Sequence, residues 1–176
     1  MSKKRLSQTK KNIVFLGHMG CGKSTIGKGL SKKLGLDFYD TDKEIEKEMG
    51  QKIAKIFDES GESIFRNIER KITLKLLDKK NSIIALGGGG FEDLKIRKLI
   101  LNKCNSIWLK CDLNILEKRC RVSKKRPLLS NKNIKAEFER LNKIRQKNYS
   151  KAKFTIDVSK KNKYQIIKKI TEALKI

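Results

Sequence analysis

No apolar run in this 176-residue chain approaches the roughly 20 residues needed to cross a bilayer, and residues 1–11 have no hydrophobic centre behind their charges. A membrane span and a secretory leader are therefore not expected, and a soluble cytoplasmic protein is. Cysteine is sparse as well: Cys21, Cys104, Cys111 and Cys120 form no CxxC pair, which argues against a disulfide framework and a zinc site and leaves reduced, packing thiols. The single histidine, His18, has no evident base partner in the sequence, which argues against histidine-dependent hydrolysis. Acidic residues are few, 19 against 44 Lys and Arg, and the formal net charge is +25. Such a charge attracts phosphate backbones. However, lysine is spread over almost every segment, no RGG tract exists and aromatics are only 6%, so a solvated basic surface is favoured over a specific nucleic-acid site. The same field draws in small anions. Arginine is scarce, nine residues against 35 lysines, so its planar fork for carboxylate or phosphate is informative where it persists.

What is present begins with Gly17-His18-Met19-Gly20-Cys21-Gly22-Lys23-Ser24. The stretch fits GxxxxGK[ST], lies between the apolar run Ile13-Val14-Phe15-Leu16 and a helix beginning near Lys23, and so has the strand-loop-helix context of a phosphate-binding loop. Glycines let several N–H groups face phosphate oxygens, and the helix adds the positive end of its dipole. Lys23 places a charge on the β- and γ-phosphates and the Ser24 hydroxyl offers one Mg2+ position. Gly20, Cys21, Gly22 and Thr25 complete the nucleotide-binding stretch.

Along the chain, strands are expected over 12–16, 37–40, 82–86, 106–111 and 154–158, alternating with helices. Thr41 to Glu44 has capping-box spacing before a helix that runs to Met49. A short helix then leads to a turn at Ser60-Gly61, and further helices are expected over 62–77, 92–103, 113–121 and 134–151, with one more at the C-terminus. The alternation predicts an α/β protein, a parallel sheet of five strands in three layers, one domain over 12–176 preceded by a basic arm at 1–11. Residues 122–133, basic and holding the only proline, Pro127, have the composition of a mobile lid. Ligands of such sheets bind beyond the carboxyl ends of the strands, where the phosphate loop, Asp40, Asp42 and Gly87 to Gly90 all fall.

Several of these residues carry two readings. Asp42 or Thr41 is a helix cap, or Asp40 and Asp42 divide metal binding and proton acceptance between them. Arg66 and Glu69 are an exposed i,i+3 ion pair, or Arg66 borders a cleft and takes a ligand carboxylate. The four glycines after the third strand are a flexible turn, or something approaches their backbone closely. Arg126 is an ordinary loop charge or closes over phosphates. Arg145 lies on the helical stripe of Ile134, Phe138 and Leu141 and wants a partner, a structural or a substrate carboxylate. Arg119 is solvated or stacks on a base.

Taken together, GHMGCGKS, the DTD of Asp40 to Asp42, GESIFRNIE from Gly61 to Glu69, LGGGG from Leu86 to Gly90, RPLL from Arg126 to Leu129, and Arg145 with Tyr149 resemble the shikimate kinases, a family of P-loop small-molecule kinases. The resemblance implies a three-layer P-loop kinase fold with strand order 2-3-1-4-5, a monomer, and transfer of the ATP γ-phosphate to the 3-hydroxyl of shikimate. It implies that Lys23 and the loop amides bind phosphates, and that Ser24 and Asp40 serve Mg2+. It makes Asp42 the base, Arg66, Gly88, Gly89 and Arg145 the shikimate contacts, Arg126 the lid arginine and Arg119 the adenine neighbour. It further places an adenine loop near residues 159–162. Two alternatives stand beside it: a P-loop kinase of another hydroxy acid such as gluconate, and a nucleotide-dependent RNA- or DNA-binding module.

Overall fold

Ile13, Val14, Phe15 and Leu16 have at most 1% of their surface exposed, so the strand they form is covered on both faces. In the computed structural model, which describes residues 11–122 and 133–176, this strand is β1 (Ile13–Leu16). It is followed by α1 (Lys23–Leu34), β2 (Asp37–Asp40), α2 (Thr41–Met49), α3 (Ile53–Leu77), β3 (Ser82–Ala85), a 3-10 turn (Gly90–Glu92), α4 (Leu94–Lys103), β4 (Asn105–Lys110), α5 (Leu113–Val122), α6 (Ile134–Tyr149), β5 (Phe154–Asp157) and α7 (Lys163–Leu174). All four strand pairings are parallel and the order is β2-β3-β1-β4-β5, as expected.

Side chains alternate across the sheet and so build two cores. Ile13 and Phe15 join Ile83, Ile107 and Leu109 on the face covered by α1, α5 and α7. Val14 and Leu16 join Ile84, Leu86 and Trp108 on the face covered by α2, α3 and α4. Helix α6 touches both cores, through Phe138 at one end and Tyr149 at the other. Cys21, Cys104 and Cys120 are buried, in keeping with packing thiols, and among the described residues no cysteine is joined in a disulfide. Among the described residues no helix is long and apolar enough to cross a membrane.

Register brings the candidate residues to one edge. Asp40 lies opposite Ala85, and Leu86 N donates to the Phe15 carbonyl at 3.0 Å, so the chain leaves β1, β2 and β3 at the same level. Two local expectations are corrected here. Thr41 does not begin a capping box: the N-cap of α2 is Asp40 and no side chain caps it. The Asp40 carboxylate instead accepts from Ser24 Oγ, and Thr41, fully buried, turns its hydroxyl inward, accepting from Gly87 N at 2.7 Å and donating to the Ala85 carbonyl at 3.4 Å. The helix expected from Glu92 starts at Leu94, because the glycine run continues into the 3-10 turn and Asp93 caps α4 through Lys95 N and Ile96 N. By contrast, the turn at Gly61 is present: its φ of 78° and ψ of 171° break the helical path within α3 and divide it as the sequence indicates.

Thr41→Val should expose the importance of the inward hydroxyl. It preserves shape but leaves the buried Gly87 N–H without an acceptor, a loss of about 1–3 kcal/mol. Urea unfolding is expected to show a lower midpoint with an unchanged slope.

Candidate active site

The phosphate loop spans β1 to α1. Gly22, with φ of 101°, stands in the left-handed region at the N-cap of α1, and a Cβ on Gly17 would meet the Leu109 carbonyl at 2.7 Å, so both positions need glycine. Lys23 Nζ donates to the loop's own carbonyls, Gly17 O at 2.6 Å and His18 O at 3.0 Å, which holds its charge over the loop. Ser24 Oγ donates to Asp40 Oδ2 at 2.5 Å. This hydroxyl and carboxylate are hard oxygen donors and fit Mg2+, which commonly takes only one or two protein ligands and keeps water and phosphate oxygens for the rest. No cluster of three or more acidic, His or Cys ligands occurs among the described residues. Thr25 is exposed at the start of α1, and Arg119, on α5, arches back so that Nη1 donates to the Gly20 carbonyl at 3.2 Å. Arg126 lies outside the described residues, as does most of the 122–133 segment.

The second half of the site is assembled around the glycines after β3. A Cβ on Gly87 would fall 2.6 Å from Asp42 Oδ1 and 2.8 Å from Glu69 Oε1. One on Gly88 would fall 3.1 Å from Arg145 Nη1, and one on Gly89 only 2.5 Å from Arg66 Nη1. The expectation that something approaches this backbone closely is met by four charged side chains converging on three consecutive glycines. Gly87 and Glu69 were not among the site residues expected from sequence. Glu69 sits three residues after Arg66 and would pass for a surface partner, yet it is only 3% exposed. Its Oε2 accepts from Arg66 Nη1 at 2.7 Å, while Glu62 Oε1 accepts from Nε and Nη2 of the same arginine. Arg66 is thereby fixed over Gly89 rather than left in a solvated pair.

Arg145 contrasts with Arg66. It is half-buried, and among the described residues it forms no salt bridge. A planar cation so placed beside Gly88 is a ready receptor for a carboxylate. Tyr149, one turn on, is buried and donates to the Gly88 carbonyl at 2.5 Å, so α6 and the glycine run are tied together. Asp42 keeps an exposed side, but the protein massed around its carboxyl desolvates it and, with Asp40 adding repulsion, pushes it up to about 6, although Lys23 opposes the rise and Glu69 adds to it. His18 is neutral at physiological pH, its pKa drawn down to about 4 by burial and by the nearby Arg145 and Lys23 charges, against the opposing effect of its bond to Asn142.

The segment expected to flank adenine connects β5 to α7. Asp157 accepts from Ser159 N, Ser159 Oγ accepts from Asp112 N, and Asn162 forms a capping box with Gln165 at the start of α7.

A charged acceptor pocket facing a phosphate loop across a parallel sheet describes many kinases, and comparison with known proteins decides among them. The shikimate kinase family model matches residues 19–175. The chain belongs to the shikimate kinase family. A shikimate kinase of Persephonella marina is 43% identical over 163 residues, covering 91% of this chain and 96% of that one. The solved shikimate kinase of Acinetobacter baumannii in complex with shikimate is 32% identical, with a TM-score of 0.90 over 95% of this chain and 94% of that one. A gluconokinase of Sinorhizobium meliloti reaches a TM-score of only 0.57 at 14% identity over 94% of this chain and 92% of that one, which shows a shared fold alone. Shikimate kinases thus share this chain's sequence as well as its architecture, whereas the gluconokinase shares only the latter.

Proposed function

We propose that this chain transfers the γ-phosphate of ATP to the 3-hydroxyl of shikimate, giving shikimate 3-phosphate and ADP. The observation that carries the reading is the convergence of Asp42, Arg66 and Arg145 on Gly87, Gly88 and Gly89, beside the phosphate loop. Lys23 and the amides of Gly20, Cys21, Gly22, Ser24 and Thr25 hold the phosphates, and Ser24 with Asp40 holds Mg2+. The metal, when bound, neutralises charge on the phosphate oxygens. Asp42 accepts the proton of the attacking hydroxyl, and its raised pKa makes it a stronger base than an ordinary aspartate while leaving it ionised at neutral pH. Arg145 and Arg66 grip the shikimate carboxylate, and the Gly88 and Gly89 backbone receives the ring. Arg119 lies against adenine. Arg126 reaches the transferred phosphate, a role that rests on its motif alone.

The shared orientation of donor and acceptor supplies most of the catalysis, since phosphoryl transfer needs in-line placement and charge stabilisation more than covalent chemistry. The protein is read as a cytoplasmic monomer with small-molecule partners and no specific nucleic acid, one domain over 12–176 with a basic arm before it. A panel of hydroxy acids with ATP and Mg2+, followed by ADP release, tests the acceptor. Shikimate is expected to turn over at about 1–100 s-1, and gluconate at least about 10^3-fold more slowly, because buried polar groups matched to one acceptor are left unpaired by another. Turnover of gluconate in preference to shikimate would overturn the assignment.

A further inference from the structure

His18 is the second residue of the phosphate loop, and the reaction as described gives its side chain no task. The ring is 4% exposed and reaches away from the loop to one face of α6. Phe138 and Tyr149 meet it edge-on, with ring centroids at 6.1 and 5.3 Å, and Nε2 lies 3.2 Å from Asn142 Oδ1. The Asn142 amide donates onward from Nδ2 to Gln146 Oε1 at 3.1 Å, so its oxygen is the acceptor and His18 Nε2 carries the proton. Among the described residues His18 Nδ1 is buried without a hydrogen-bond partner. The backbone of the same residue faces the other way: its carbonyl accepts from Lys23 Nζ and from Cys21 N. One residue thus holds the phosphate-binding lysine through its carbonyl and α6 through its ring.

The far side of that contact belongs to the acceptor half. Helix α6 places Arg145 over Gly88 and bonds the Gly88 carbonyl through Tyr149, and its other main packing partners are α5 and the 3-10 turn. Beside the contact lies a cavity of about 250 Å³ lined by His18, Asn142, Gln146, Trp108, Asp157 and Ser159. Tyr149 packs on Trp108 at one side of this cavity and Phe138 joins the core at the other, and between them the bond from His18 to Asn142 crosses the cavity edge.

We infer that His18 and Asn142 are positioning residues that couple the two halves of the site, so that a nucleotide in the phosphate loop and an acceptor carboxylate on α6 each strengthen the binding of the other. The inference rests on the reading of Arg145 as the carboxylate anchor. Coupling of this kind is reciprocal: whatever factor shikimate applies to nucleotide affinity, the nucleotide applies to shikimate affinity. It needs differential contact in the two states, and the hydrogen bond across the cavity edge is one that a small shift of α6 makes or breaks.

The test is calorimetric titration of the full chain with Mg2+ and a non-hydrolysable ATP analogue, alone and with saturating shikimate, and with shikimate alone. Wild-type protein is expected to bind the analogue about 5–150-fold more tightly when shikimate is present. Asn142→Leu should reduce that ratio to about twofold or less, while the Kd of each ligand measured alone changes by about twofold at most. His18→Phe keeps a ring against Phe138 and Tyr149 but also loses the ratio, because it cannot donate to Asn142. Asn142→Asp retains an oxygen for Nε2 and retains the ratio, an outcome that a merely structural role would not produce. Variants that keep the wild-type ratio, or a wild type that binds both ligands without coupling, would overturn the inference and leave the function standing. A wild type that fails to bind shikimate would overturn both.

Discussion

Asp42→Asn is expected to lower kcat by about 10^2–10^4 while leaving the Kd for ATP nearly unchanged, since general-base catalysis contributes a factor of that size. The asparagine keeps the shape and the neighbours at Gly87 but cannot accept the proton of the attacking hydroxyl. Stability should move the other way. The folded pKa, about 6, lies above the ordinary carboxylate value of 3.8, and desolvation is the largest cause. Below about pH 4 both folded and unfolded chains hold the proton, and ionisation imposes no penalty on folding. Between pH 4 and 6 the unfolded chain releases its proton first, and above pH 6 the whole of the penalty applies, reduced by the solvent that reaches the exposed side of Asp42. Asp42→Asn removes it, so the variant should resist urea better than wild type at pH 7.5 and by less at pH 4. A variant that is inactive yet more stable identifies a strained catalytic carboxylate; a variant that loses ATP affinity would place Asp42 with the nucleotide instead. In wild type, kcat/KM should fall about tenfold per pH unit below 6 and level off above it.

Arg145→Ala is expected to lower kcat/KM for shikimate by roughly 30–1000-fold, corresponding to the 2–4 kcal/mol lost when one partner of a desolvated charge pair is removed. Arg145→Lys should recover only part of this, because an ammonium keeps the charge and loses the two-pronged geometry. The analogue's own Kd, measured without shikimate, should hardly move. Arg140 provides the internal control. It lies on the same helix in an exposed pair with Glu137, and pairs of this kind contribute little, so Arg140→Ala should leave kcat/KM near the wild-type value. Equal losses at the two positions would mean that α6 acts through its general charge and not through one placed guanidinium.

The two arginines also show which parts of the site sequence patterns can carry. Arg145 stands out on counting 100° per residue, because its helix has an apolar stripe and a cation on that stripe is conspicuous. The phosphate loop was as plain, since its glycines, lysine and serine are close in sequence and their spacing is itself the structure. Strand order follows from the family resemblance, not from periodicity, which sees each strand alone.

What local patterns cannot carry is pairing between distant segments. Glu69 reads as a surface ion-pair partner until α3 is packed on the sheet and its carboxylate is buried beneath Gly87 and Gly90. Thr41 reads as a cap because its neighbours have cap spacing, but a buried hydroxyl that can serve the Gly87 N–H is satisfied inward, and Asp40 is occupied by Ser24. His18 offered no signal at all, for Asn142 is 124 residues away. In each case the deciding contact spans elements that only the folded sheet brings together.

On the proposed reading, a phosphate donor held by the loop and a hydroxy acid held by Arg66 and Arg145 react within one site. Phosphorus NMR of the purified chain with ATP, Mg2+ and shikimate tests it most directly. ADP and a new phosphomonoester signal coupled to the proton at the 3-carbon of shikimate are expected in equal amounts. ADP accompanied only by inorganic phosphate, or a phosphoester on another hydroxyl, would contradict it.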